Sequence, residues 1–390
     1  MPSELVLKAI SAVNGSEMAY CKFLSSNDIG ETGGHQYGIY IGKESWEILF
    51  EKKGTKGANA KKNVRIKWQD DFTTDSVFTY YGQGTRNEYR ITRFGKDFPF
   101  LTSDNLGNLF VLVKNSKAEY SGYVFSVETD FEEFFQAFGM SATETNKIIR
   151  TSGLISDELA LEKEFVAYVK NLAVEFPSSL EVADKAREIF YKVHNHIENI
   201  QSNPDKELIK WIDTEYLLFR RIEDTRFGLV VREGFTDIND FIELANSILN
   251  RRKSRAGKSL EHHLKKVFEI NSLRFVSQPY TEGNRQPDFI FPGQLEYVNS
   301  AYSSNKLVFL AAKTTCKDRW RQIINEAARI KHKHLFTLQQ GISSQQLKEM
   351  REENVTLVVP EEYKKYYPLA FRDSIFSLKK FILYVREKTS

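Results

Sequence analysis

Short apolar runs alternate with helically spaced segments between Phe289 and Pro360, and this alternation constrains the C-terminal part of the chain more than any other feature. Phe289-Ile290-Phe291 reads as a short strand and Leu307 to Ala312 as a buried one. Lys317 to Ile330 reads as a helix, His334 to Leu338 as a strand, Ser344 to Glu353 as a helix, and Val355 to Val359 as a strand closed by Pro360. Strands separated by helices predict an α/β domain with at least some parallel pairing.

Residues 1 to about 150 have a different texture. Gly38 to Ile41, Val64 to Trp68 and Leu109 to Val113 are short and rich in β-branched and aromatic residues, with Gly and Asn/Asp clusters such as Ser26 to Gly30 between them. Many short strands with turns predict a barrel or sandwich. After Glu128 the apolar residues recur at helical spacing, as in Phe131, Phe134, Phe135 and Phe138, and helical texture runs on to Asn199. Phe176-Pro177-Ser178-Ser179 is the sharpest boundary, and Pro204-Asp205 opens a further long helix. The chain is therefore expected to be multidomain α+β: residues 1–150 a β-rich domain, 151–175 a helical linker and 176–390 an α/β domain. A length of 390 residues suits two or three domains, and 41% hydrophobic residues supply a sizeable core.

The net charge of +3 excludes a uniformly basic protein, but a polyanion binder needs only one basic face. Cys21 and Cys316 lie far apart and make neither a disulfide framework nor a zinc spacing, as expected in a reducing cytoplasm. His194, His196, His262, His263, His332 and His334 form no ligand spacing with cysteine. The start Met1-Pro2-Ser3-Glu4 lacks the layout of a leader, and no apolar run approaches the ~20 residues of a membrane helix, so no membrane role is expected.

Lys313 ends an apolar strand, where a buried ammonium is costly without a partner. Pro287-Asp288 opens the short strand before it, and Glu326 follows it. Two carboxylates and one ammonium suit phosphodiester hydrolysis. Asp288 and Glu326 can hold Mg²⁺ through oxygen ligands, and the ion neutralises the phosphate and acidifies the attacking water. Lys313 can orient that water and stabilise the charge that develops. On these three residues alone, a salt-bridged strand-end lysine is the ordinary alternative.

The neighbourhood adds to the case. Lys317, Asp318 and Arg319 supply both donors for guanine and an acceptor for cytosine. Arg251, Arg252 and Lys253 begin a run of five cations in eight residues, ending at Lys258, and a further helix is expected to carry Glu261. Such a run is usually a solvated face, but here it precedes the candidate site and suits phosphate contacts. Near the N-terminus, Arg86, Asn87, Glu88 and Arg90 are residue types that read base edges, with a charged surface hairpin as the competing reading. Lys52, Lys53, Lys56, Lys61, Lys62, Arg65 and Lys67 read as a solvated loop, or else as a phosphate-binding flap.

In order and spacing, Asn250 to Glu261, Thr281 to Asn284, Pro287-Asp288-Phe289, Lys313 to Gln322, Asn325-Glu326-Ala327 and Leu335 to Gln339 resemble the catalytic domain of the EcoRII-like type II restriction endonucleases. The resemblance implies a PD-(D/E)xK nuclease fold in the C-terminal domain. The acid that normally sits two residues before the lysine is replaced here by Ala311, and Glu326 fits the displaced carboxylate. Glu261 joins the catalytic set, Tyr297 matches a tyrosine near the active site, and Lys317, Asp318 and Arg319 are expected to read a C/G-rich, CCWGG-like core. Thr32 to Tyr40 and Thr85 to Gly95 are similar to the family's N-terminal DNA-binding pseudobarrel, which makes His35, Arg86, Asn87, Glu88 and Arg90 candidate DNA contacts, together with Lys22 and Tyr40. The expectation is a cytoplasmic, homodimeric restriction enzyme acting on double-stranded DNA with two or more site copies, beside a cognate methyltransferase. Its N-terminal domain is expected to act as an effector-binding sensor. The alternatives are a DNA-binding regulator with an inactive nuclease domain and a repair nuclease without a strict site.

Overall fold

A computed structural model describes residues 3–30, 38–149, 159–194 and 200–390. The N-terminal part begins with α1 (Glu4–Asn14), whose first turn is capped when the Ser3 hydroxyl accepts the Val6 N–H. Then come β1 (Met18–Phe23), β2 (Ile39–Ile41), β3 (Ala60–Trp68), β4 (Thr73–Tyr81), β5 (Glu88–Thr92), β6 (Leu109–Lys114), β7 (Glu119–Phe125), α2 (Glu128–Phe138) and β8 (Lys147–Ile149). The eight strands form one sheet in the order β2-β5-β4-β3-β7-β6-β1-β8. Its end strands approach across the turn at Lys43–Ile48, where the Ser45 hydroxyl donates to the Asn146 carbonyl. The curled sheet is the expected pseudobarrel.

Alternation along the strands builds two cores from one sheet. Tyr20, Phe110 and Leu112 point into the barrel with Ile66, Trp68 and Tyr120. Their neighbours Cys21, Phe23, Leu109, Val111 and Val113 point out, against Val6, Phe131, Phe134 and Phe135 of α1 and α2. Being buried on both faces, β6 reads as an unbroken apolar run. The lysine-rich stretch is not all loop: in β3 the Lys61, Arg65 and Lys67 side chains stand on the exposed face while Val64, Ile66 and Trp68 face inward.

Helices α3 (Leu159–Lys170), α4 (Ser179–His194), α5 (Pro204–Glu233) and α6 (Ile238–Ile270) follow. Leu161, Phe165 and Val169 of α3, expected in a linker, pack against Val182 and Ile189 of α4 and Phe219 and Ile222 of α5. A single helix, α6, carries both the cationic run and Glu261, and Gly257 between them does not interrupt it.

The last part comprises β9 (Val276–Ser277), β10 (Phe289–Phe291), α7 (Gln294–Val298), β11 (Val308–Lys313), β12 (Lys333–Thr337), α8 (Ser344–Glu352), β13 (Val355–Val359), β14 (Phe376–Ser377) and α9 (Leu378–Thr389). Strands β11 to β14 pair in parallel, and β9 and β10 run antiparallel at the other edge. The helix expected from Lys317 to Ile330 does not form. Trp320, Ile323, Ala327 and Ile330 are buried at helical spacing, but only Trp320–Ile323 makes a 3₁₀ turn. The run is broken at Ala327, whose left-handed φ of +47° no α-helix continues, and the Lys333 ammonium holds the carbonyls of Glu326 and Ala327 at that break. No helix among the described residues is long and apolar enough to cross a membrane.

Candidate active site

Antiparallel pairing of β10 with β11 sets Phe289 opposite Leu310, so Asp288 lies beside the end of β11. The Asp288 carboxylate accepts the Ala312 N–H at 2.7 Å and lies 3.3 Å from the Lys313 ammonium. It is 8% exposed. Burial, followed by the negative charge of Asp288, pushes the Glu261 carboxyl above the usual range, while the Gln278 amide donates to it at 2.9 Å. Burial also raises the Glu326 carboxyl, with Lys313 opposing and Asp288 adding to the shift. Asp288, Lys313, Glu261 and Glu326 thus share one electrostatic neighbourhood at the sheet end.

No three His, Cys, Asp or Glu side chains among the described residues form a ready-made cage for an ion. Asp288 with either glutamate nevertheless suits a hard cation that keeps waters and takes its remaining ligands from a phosphate. Carboxyls held above their usual range by burial and mutual repulsion are groups that a divalent cation would relieve.

Glu261, Ala312, Lys313 and Thr314 open onto a cavity of about 260 Å³, whose far wall is Glu132, Phe135 and Gln136 of α2. Lys253 and Arg319 line it as well. Lys317, Asp318 and Arg319 are covered by the same helix. Glu128 accepts the Asp318 N–H at 2.9 Å and the Thr315 hydroxyl at 2.7 Å, and its own N–H donates to the Asp318 carboxylate at 3.2 Å. Arg319 donates to Glu132 at 2.7 Å, and Lys317 to Asn108. Burial raises the Glu128 carboxyl and lowers the Lys317 ammonium. These acidic partners escaped the sequence reading, although Glu128 and Glu132 stand one helical turn apart and such a pair can present two carboxylates to a cationic surface.

The remaining candidates separate into surface and scaffold. Arg252 forks onto Glu223 and donates to the Gln136 and Ala137 carbonyls at 2.7 and 2.9 Å, tying α6 to α2. Arg251 stacks on Phe176 and Phe227, while Lys253 is exposed. Tyr297 is buried, and its hydroxyl donates to Glu282, which also accepts the Ala328 N–H and so braces the turn bearing Glu326.

In the barrel, Arg86 and Asn87 are exposed, with Glu88 and Tyr40 half-exposed. Lys22 and Arg90 are corrected to scaffold. Lys22 is 1% exposed and donates to Asp28 at 2.7 Å and to the Tyr40 carbonyl at 2.9 Å. Arg90 is 2% exposed and donates to the Gly38 carbonyl at 3.2 Å and to Asn27 at 3.3 Å. A lone buried cation demands a partner, and both found theirs in the loop after β1. His35 lies outside the described residues.

The family described as "Restriction endonuclease EcoRII, N-terminal" matches residues 13–136, and "EcoRII C terminal" matches residues 219–382. The type II restriction enzyme EcoRII of Escherichia coli is 37% identical over 380 residues, covering 93% of this chain and 92% of that protein. The type II restriction enzyme SsoII of Shigella sonnei is 26% identical over 134 residues, 32% of this chain and 43% of that protein. Among solved structures, metal-depleted Ecl18kI in complex with uncleaved, modified DNA superposes with a TM-score of 0.47 at 18% identity, covering 59% of this chain and 85% of that one.

Proposed function

The chain belongs to the EcoRII family of type II restriction endonucleases, and on that premise we propose a Mg²⁺-dependent enzyme that cuts double-stranded DNA at a short C/G-rich, CCWGG-like site. The observation that carries the chemistry is the Asp288–Lys313 pair, 3.3 Å apart, beside the raised carboxyls of Glu261 and Glu326. Asp288 and Glu326 would hold the ion, with Glu261 near enough to share in binding it or its waters. When bound, it supplies neutralisation of the scissile phosphate and a more acidic attacking water. Lys313 places a positive charge where the phosphorane gains negative charge, and the Ala312 N–H fixes the Asp288 carboxylate that orients it. Lys317, Asp318 and Arg319 would read the base edges, and Arg251, Arg252 and Lys253 would meet backbone phosphates.

The structure is a closed state on this reading. Residues 1–150 form a domain that binds a further site copy through Arg86, Asn87 and Glu88, with His35 a further contact on the same reading. Helix α2 of that domain occupies the base-reading tripeptide of the catalytic domain at 176–390. Effector DNA favours the open state, so two-site DNA is cut better than one-site DNA. Cutting both strands of a symmetric site calls for two active sites about a two-fold axis, hence a homodimer. A cognate methyltransferase protects the host DNA, and the enzyme works in the cytoplasm.

Incubating one-site and two-site plasmids with the full chain and Mg²⁺ tests the reading. Discrete bands, faster on two sites, are expected. A smear would mean a nuclease without a recognition site, and a gel shift without cutting would mean a regulator.

A further inference from the structure

Gln339 follows β12 and is completely buried. Its side chain faces two ways. The amide oxygen accepts the N–H groups of Cys316 at 2.8 Å and Lys317 at 3.1 Å, where the base-reading tripeptide begins. The amide nitrogen donates to the Gly107 carbonyl of the N-terminal domain at 3.2 Å. Its backbone is pinned as well: the N–H donates to the Thr337 hydroxyl at 3.2 Å, and the carbonyl accepts the Tyr367 hydroxyl at 2.6 Å.

We infer that Gln339 is a positioning residue that holds the base-reading turn in register with the sheet and, through the other half of the same amide, couples that turn to the N-terminal domain. The inference rests on the closed-state reading above.

The surroundings leave the amide little freedom. Residues 314–319 lack a continuous helix, so the Cys316 and Lys317 N–H groups have no helical acceptor and depend on Gln339. The Lys317 carbonyl is held from the opposite side by the Gln346 amide at 2.9 Å. Gly107 approaches so closely that a Cβ there would lie 2.3 Å from the Gly341 carbonyl oxygen and 3.1 Å from the Gln339 amide nitrogen, and its φ of +81° also favours glycine. Next to it, Asn108 accepts the Lys317 ammonium. Opening the domains therefore removes the acceptor from the Gln339 nitrogen and frees the first base reader in one movement. Both bonds are made only while the two domains are in contact, so each favours the arrangement that the other needs and the two events are energetically linked.

Two substitutions in the full chain separate the two halves. Gln339→Glu keeps an acceptor for the Cys316 and Lys317 N–H groups but presents an oxygen to the Gly107 carbonyl. Gln339→Met removes both polar halves without adding charge. Two ratios are read: one-site over two-site cleavage rate for coupling, and kcat/KM on the cognate site over a site with one base pair changed for positioning. A fraction of unfolded protein cancels from both. Gln339→Glu should raise the first ratio roughly fivefold and leave the second within twofold, and the increase should shrink at acid pH, where a protonated carboxyl again donates to Gly107. Gln339→Met should raise the first ratio and lower the second by roughly fivefold. Glu132→Gln, which breaks the closure at another point, tests the underlying reading in parallel. If Glu132→Gln raises the first ratio and neither Gln339 variant does, the coupling role is wrong. If Gln339→Met keeps its site preference, the positioning role is wrong. If none of the three moves the first ratio, the closed-state reading fails and the coupling with it.

Discussion

The Arg319 guanidinium donates a 2.7 Å hydrogen bond to the Glu132 carboxylate, joining a residue suited to guanine with an acid from the other end of the fold. The pair is about one-third exposed on each side, so it is screened by salt and weak by itself. Closure is therefore spread over several contacts, among them the backbone N–H groups of Asp318 and Glu128, each on the other's carboxylate, and Arg252 on the carbonyls at the end of α2. DNA phosphates would compete for Arg319 and Arg252.

Removing the Glu132 charge shifts the balance toward the open state. Glu132→Gln is expected to cut one-site DNA severalfold faster than the parent, with little change on two-site DNA. Equal one-site rates for parent and variant would place the control of cutting elsewhere.

Asp288→Ala removes the carboxylate that pairs with the Lys313 ammonium and, on the proposed reading, would hold the ion. Loss of several kcal/mol of transition-state stabilisation is expected, at about tenfold in rate per ~1.4 kcal/mol, with DNA binding retained. Cleavage within tenfold of the parent would refute the assignment.

Lys313→Ala should abolish turnover while changing the DNA dissociation constant little, because on the proposed mechanism its charge acts on the reacting phosphate. Single-turnover rates measured beside binding isotherms make the distinction. A parental turnover number would reduce this lysine to a strand-end ion pair.

On the proposed reading Arg319→Ala does two opposing things: it would loosen closure and delete a base contact worth roughly 1–3 kcal/mol of discrimination. The informative quantity is the ratio of cognate to random DNA affinity, which should fall. Lys253→Ala, at an exposed cavity position, should weaken both affinities alike and flatten their salt dependence. An unchanged ratio for Arg319→Ala would move it among the phosphate contacts.

The raised carboxyls of Glu261 and Glu326 set a pH dependence for metal binding. A carboxyl whose folded pKa exceeds its unfolded value lowers stability as pH rises through that interval, and a bound cation offsets the loss. Added Mg²⁺ should therefore raise Tm more at neutral than at acid pH, and the Mg²⁺ needed for half-maximal cutting should increase as pH falls. A Mg²⁺ requirement independent of pH would separate these carboxyls from the ion.

Local pattern carried a large share of this architecture. The apolar runs at Phe289–Phe291 and Val355–Val359 became strands because their side chains bury well only on a sheet, and Pro204-Asp205 opened α5 because proline suits a first helical turn. Asp288 and Lys313 were legible because an acid and a lysine at apolar strand ends need partners. Tertiary contacts decided the rest. Lys317 to Ile330 have helical spacing, but Ala327 takes a left-handed φ of +47° and the Lys333 ammonium holds the carbonyls at that break. Lys22 and Arg90 look like surface cations until the Asp28 carboxylate and the Gly38 carbonyl enclose them. The cover that Glu128 and Glu132 place over Asp318 and Arg319 spans almost two hundred residues of chain, and Gln339 reaches Gly107 over a similar gap. Periodicity reports what a residue needs from its immediate neighbours; which distant group meets that need is set only when the two sheets pack.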